Sequence, residues 1–161
     1  MNKSEKTNVM RVLEQKKISY ESHTYTQDAS TSGEEIAKIL GEDPDCVFKT
    51  LVTRGKTGQY YVFVVPVAKE LDLKKAAKAA GEKSIEMIKQ KELLPLTGYI
   101  HGGCSPIGMK KQFKTFVHKT AMDFETIFFS AGKVGYQVEL SPADMGKAFS
   151  YTLEDIIVDD F

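Results

Sequence analysis

A chain of 161 residues, 42% apolar and 27% charged, can bury a core of its own, which rules out a disordered tail or a fibre. Lysine plus arginine equals aspartate plus glutamate at 22 each, so the chain as a whole exerts no pull on nucleic acid, which argues against a non-specific duplex binder. No apolar run approaches the roughly 18 residues of a membrane span, and the polar start MNKSEKTNVMRVLEQKK lacks the apolar region of a secretory signal, so a cytoplasmic protein with no membrane partner is expected. Cys46 and Cys104 then read as free thiols. CxxC and HExxH are missing and the histidines at 23, 101 and 118 are scattered, so neither a metal nor another cofactor is expected.

In chain order, Ser4 to Lys16 carries Val9, Val12 and Leu13 at helical spacing, and Tyr20 to Thr26 reads as a short strand. In SGEEIAKILG, Ser32 precedes Glu35 by three residues and Gly41 closes an apolar face, which specifies a capped helix. Val47–Arg54 and Gln59–Val67 are β-branched and aromatic around the turn residues GKTG, a hairpin pattern. LDLKKAAKAAG and SIEMIKQKELL read as two helices. Strands are expected at Tyr99–His101, Lys114–Lys119, Thr126–Ser130 and Tyr136–Leu140. A last helix begins at SPADMGKAF, with Ser141 as cap, Pro142 at the first position and Asp144 at the third. No repeat or linker divides the chain, so residues 1–161 are expected to form one domain. Because strands and helices do not alternate regularly, the expected class is α/β of the α+β type.

The stretch GYIHGGCSPIGMKK, residues 98–111, sets His101 and Cys104 three positions apart among glycines. Cysteine–histidine pairs in catalysis are usually brought together by the fold, and nothing local lowers the Cys104 pKa, so a packed thiol competes with a nucleophile. Gly102 and Gly103 admit backbone conformations closed to other residues, and Pro106 and Gly108 shape a turn. The N–H groups of residues 103–105 would then form an anion or oxyanion nest, or the stretch is a plain tight turn. Lys49, in CVFKTLV, either faces solvent from an alternating strand or is held at a site. FFSAGKVGYQVEL breaks at Ser130 to Lys133 and resumes, as a hairpin would.

Together HTYT (23–26), VFKTLV (47–52), VPVAKELDLKKAAKAAG (65–81), TGYIHGGCSPIGMKK (97–111) and FFSAGKVGYQVEL (128–140) resemble, in order and spacing, the YbaK/EbsC family. These are bacterial Cys-tRNA(Pro) deacylases related to the editing domain inserted in prolyl-tRNA synthetase. The resemblance implies a curled mixed β-sheet or barrel-like sheet flanked by helices. It implies hydrolysis of the ester of a mischarged tRNA, principally Cys-tRNA(Pro), with the substrate thiol closing onto its own carbonyl. Lys49, Gly102 and Gly103 are the implied catalytic residues. Tyr25, Thr50, Ser105, Pro106, Ser130, Gly132 and Gln137 are the implied substrate contacts. Cys104 falls on a variable position of the loop, which favours the backbone reading. Gln137 stands where many members carry aspartate, and an amide cannot pair with a substrate ammonium by charge.

The implied partners are the aminoacylated 3′ end of tRNA and prolyl-tRNA synthetase, with the oligomeric state left open. Lys110, Lys111 and Lys114 and the helix face Lys74, Lys75 and Lys78 are either tRNA contacts or a solvated surface. Three functions compete: an aminoacyl-tRNA ester hydrolase, a non-catalytic nucleotide- or aminoacyl-tRNA-binding module, and a regulatory factor.

Overall fold

The computed structural model describes residues 6–26 and 32–159; Ser4, the expected start of the first helix, lies outside them. Helix α1 (Asn8–Gln15) forms because Thr7 caps it by accepting from the Met10 N–H, while Val9, Met10 and Leu13 share a buried face. Strand β1 (Glu21–Thr24) follows, then α2 (Gly33–Leu40), whose capping box at Ser32 and Glu35 and left-handed Gly41 are those read from the sequence.

The hairpin β2 (Phe48–Gly55) and β3 (Tyr60–Pro66) pairs Phe48 with Pro66 through Arg54 with Tyr60. Helix α3 (Leu73–Ala80) is capped by Asp72 and ended by Gly81. Next come β4 (Ile85–Met87), α4 (Gln90–Thr97), β5 (Lys114–His118), β6 (Ile127–Ser130), β7 (Tyr136–Leu140), α5 (Pro142–Ala148) and β8 (Thr152–Glu154).

Two expectations from local pattern give way to tertiary pairing. Ile85–Met87 is strand rather than helix, because β2 has an edge to fill: Gly55 pairs with Ile85 and Thr53 with Met87, and Ile85 is buried beside Ala76 and Ala77. Residues 99–101 form no strand. The Tyr99 N–H is taken by Thr97 Oγ1, the Tyr99 hydroxyl donates to the Ile107 carbonyl, and Gly102 turns the chain at φ +87°. No expectation had covered β8, which pairs parallel with β5.

The strands form two sheets, an antiparallel β1-β7-β6 and a mixed β4-β2-β3-β5-β8. They meet where Val47 bridges Phe128, and neither closes into a barrel. Central β3 supplies both cores by alternation. Val62 and Val64 pack with α1 and with Phe129 and Val138 of the small sheet, while Tyr61, Phe63 and Val65 pack under α3 with Phe116. Among the described residues no helix is long and apolar enough to cross a membrane.

Candidate active site

β4 covers the edge of β2 only from Gly55 back to Thr53, so it leaves the N-terminal half of β2 unpaired on that side. There a cavity of about 240 Å³ is lined by Val47–Leu51, by Gly33 and Ile36 of α2, by His101, Gly102 and Cys104, and by residues flanking the β6–β7 turn. Its volume lies just under the roughly 300 Å³ at which small-molecule pockets begin, a size suited to one amino-acid residue.

Of the residues singled out in the sequence, Lys49, Thr50, Gly102, Tyr25, Ser130 and Gln137 line this cavity, although they come from four separate segments. Gly103, Ser105, Pro106 and Gly132 do not line it. Ser105 is fully buried, and its Oγ accepts from the Ile107 N–H at 3.3 Å, which holds the turn. Gly132, at φ +90°, packs so closely on Tyr99 that a Cβ there would lie 2.9 Å from the ring. Gly103 faces the other glycine turn: a Cβ would lie 3.0 Å from the Val134 nitrogen and 3.3 Å from the Lys133 Cα.

The nest expected from residues 103–105 needs correcting on one point. The Gly103 N–H already donates to the Ile100 carbonyl at 3.0 Å, so it is not free to bind an oxyanion. The main-chain donors left in this stretch are those of Gly102, Cys104 and Ser105, which donate to no group among the described residues.

Lys49 is half-buried and forms no ion pair among the described residues. Burial pulls its pKa below the ordinary 10.5, and the charges of Glu34 and Glu70 oppose the shift. Cys104 is the opposite of an activated thiol, since burial pushes its pKa up to about 12. His101 is exposed and lies on the same wall.

Two residues that line this cavity each hold a buried side-chain oxygen without a partner among the described residues, Thr50 Oγ1 and Gln137 Oε1. Buried polar atoms are nearly always hydrogen-bonded, so these orphans stand out, with Thr120 Oγ1, on a residue that does not line the cavity, as a third. Gln137 is 3% exposed, and its Nε2 donates to Glu42 Oε1 at 2.9 Å. Ser130 Oγ accepts from the Gly132 N–H at 3.1 Å, so this hydroxyl shapes the turn as well as the cavity wall.

Sequence reasoning had passed over Glu42, Ile36 and Leu93. Glu42 follows a helix-ending glycine in GEDPDC, where an acidic residue reads as ordinary surface, and no spacing ties it to Gln137, 95 positions away.

Among the lysines read as either tRNA contacts or a solvated surface, Lys75 is engaged within the fold. Its ammonium lies 2.7 Å from Asp159, 3.3 Å from Asp155 and 2.8 Å from the Ile157 carbonyl. Lys111 and Lys114 lie over the rings of Phe113 and Phe116.

Comparison with known proteins gives the same outline. Over 139 residues the chain is 48% identical to EbsC of Enterococcus faecalis, named as a candidate Cys-tRNA(Pro)/Cys-tRNA(Cys) deacylase, covering 86% of this chain and 85% of that one. It is 26% identical over 137 residues to the uncharacterized YwhH of Bacillus subtilis, covering 84% and 87%. Two crystal structures share the fold. The hypothetical protein APE2540 has a TM-score of 0.84 at 21% identity, over 93% of this chain and 99% of that one. A candidate trans-editing enzyme for prolyl-tRNA synthetase has a TM-score of 0.80 at 20% identity, over 94% and 95%. Residues 26–148 match the aminoacyl-tRNA editing domain. With that match over most of its length and a relative at 48% identity, the chain belongs to the aminoacyl-tRNA editing domain family, as its motifs had suggested.

Proposed function

We propose that this protein is a trans-editing deacylase that hydrolyses the ester of mischarged tRNA, with Cys-tRNA(Pro) or Cys-tRNA(Cys) as substrate. One observation carries the reading: Lys49 lines a residue-sized cavity together with Thr50 and Gln137, each of which holds a buried oxygen without a partner among the described residues. A family relative named for this activity supports it.

The chemistry fits a site with an inert thiol. Cys104, held protonated by burial, is a poor nucleophile, so the attacking sulfur belongs to the substrate cysteine. The substrate sulfur forms a bond to its own carbonyl carbon and the ester C–O bond breaks. The thiol proton passes to the departing ribose oxygen, and water later opens the thiolactone. Negative charge gathers on the carbonyl oxygen before the C–O bond breaks. We assign to it the Lys49 ammonium and the N–H groups of Gly102 and Cys104, which donate to no group among the described residues. Tyr25, Thr50, Ser130 and Gln137 hold the aminoacyl group. Ser105, Pro106, Gly103 and Gly132 act behind them by shaping the two turns. With equal numbers of acidic and basic residues the chain releases few counterions on binding tRNA, which suits delivery of the charged tRNA by prolyl-tRNA synthetase.

The test is deacylation of Cys-tRNA(Pro), Ala-tRNA(Pro) and Pro-tRNA(Pro) by wild type, Lys49→Ala and Cys104→Ala. Wild type is expected to clear the cysteinyl ester. Cys104→Ala should keep that activity, and Lys49→Ala should lose about 100- to 1,000-fold, the usual cost of removing an oxyanion donor. A dead Cys104→Ala would restore the thiol as nucleophile. A wild type that binds but clears no ester would make this a binding module.

A further inference from the structure

The geometry points to Glu42 as a positioning residue that locks the Gln137 amide with its acceptor end in the cavity, so that the site reads the α-ammonium of an aminoacyl ester. The inference rests on the aminoacyl-ester reading above and adds to it a second residue and a recognised group.

An amide has one accepting end and one donating end, whereas an ionised carboxylate only accepts. The 2.9 Å contact from Gln137 Nε2 to Glu42 Oε1 therefore settles which way the amide faces. Oε1 is left buried and without a partner among the described residues, on a side chain that lines the cavity. Whatever meets it there must donate.

Glu42 is well placed to hold this direction. It follows Gly41 at the end of α2, and its N–H donates to the Ala37 carbonyl at 2.8 Å while that of Gly41 donates to Lys38. These are the paired bonds of a Schellman motif, which anchors the Glu42 backbone to the helix. Gln137 is held by the ladder on both sides, paired with His23 of β1 and Ser130 of β6.

Charge selects among possible donors. The Glu42 carboxylate is half-buried, and the neighbouring His23 is engaged elsewhere, with its Nε2 2.8 Å from Glu139 Oε1. Burial raises the Glu42 carboxyl above the usual range, with the Gln137 hydrogen bond opposing. A cation beyond the amide would compensate this desolvated negative charge, and a neutral thiol or hydroxyl would not. In an aminoacyl ester the cation is the α-ammonium. An acceptor backed by a carboxylate thus does the work of a charged residue without placing two carboxylates in contact.

The test uses calorimetric binding of 3′-cysteinylamino-3′-deoxyadenosine, an amide that resists hydrolysis, and of its counterpart lacking the α-amino group. Wild type is expected to prefer the amine-bearing form about tenfold, as befits one charge-assisted hydrogen bond. In Glu42→Gln the new side chain can donate as well as accept, so the Gln137 amide turns either way and the preference falls about fivefold or more. The exchanged pair, Glu42→Gln with Gln137→Glu, again gives a donor at 42 and an acceptor facing the cavity, and the preference returns. A melting temperature for each variant checks the fold; if Glu42→Gln does not fold, the exchanged pair decides alone. Equal binding of both ligands by wild type, an unchanged preference in Glu42→Gln, or a folded exchanged pair without the preference overturns the inference and leaves the deacylase reading standing. A wild type that binds neither ligand overturns both.

Discussion

Lys49 shows how one residue can be readable in type and ambiguous in role. Alternation in CVFKTLV is compatible with a solvent-facing lysine, and only the short reach of β4 reveals that this part of β2 borders a cavity. Its lowered pKa has a testable sign. The ammonium is the charged form, so raising the pH removes it at a lower value than for an ordinary lysine. Binding of 3′-propanoylamino-3′-deoxyadenosine, which has neither amine nor thiol to titrate, should therefore weaken on the alkaline side with a midpoint below 10.5, while Lys49→Arg, which stays charged, shows no such limb. A wild-type profile flat to pH 11 would remove Lys49 from the binding site. Cys104 teaches the complementary lesson: its place in the loop is visible in the sequence, but its inertness depends on burial by distant segments.

The two glycine turns matter as a pair of elements. Each has a clear local signature, yet their fit against one another is a contact between segments some 30 positions apart. Gly103→Ala would press a methyl group onto the Val134 nitrogen and the Lys133 backbone, which cannot rotate away as a side chain would. Overpacking of this kind costs about 1–3 kcal/mol. The 131–135 turn carries Ser130 and Gln137 at its two ends, so the expected result is a lower melting temperature together with an activity loss of about tenfold. Wild-type values for both would show that the two turns move independently. At this scale the capped helices α2, α3 and α5 and the hairpin were legible because caps, glycines and turn residues act locally. SIEM was misread because the edge of β2 outweighs a weak helical pattern.

Over the whole molecule, the parallel β5–β8 pair joins the C-terminal segment to the large sheet, and His118 sits at the seam. It is 2% exposed, and its Nδ1 accepts from the Ile156 N–H at 3.3 Å. Burial lowers its pKa, partly opposed by Asp155. The folded state thus resists a proton that the unfolded chain takes up near pH 6.5, so this contribution to stability is present above that value and is lost as pH falls through the lowered one. Thermal melting between pH 7 and 5 should fall more steeply for wild type than for His118→Asn, which keeps an acceptor but does not titrate. For a chain of this size a loss of about 1 kcal/mol corresponds to about 2–4 °C. Parallel slopes for the two proteins would assign the acid sensitivity to other groups.

By itself the sequence determined the composition class, the capped helices, the central hairpin and the ordered motifs that mark the family, because each depends on neighbours within a few positions or on residue identity alone. The tertiary structure decided the rest. It ends β4 short of Lys49, commits the Gly103 N–H to Ile100, buries Cys104, and brings Glu42 to Gln137 across 95 positions. Those outcomes depend on which strands pair, where their edges stop and how closely two turns approach, and such long-range contacts leave no periodic trace in the chain.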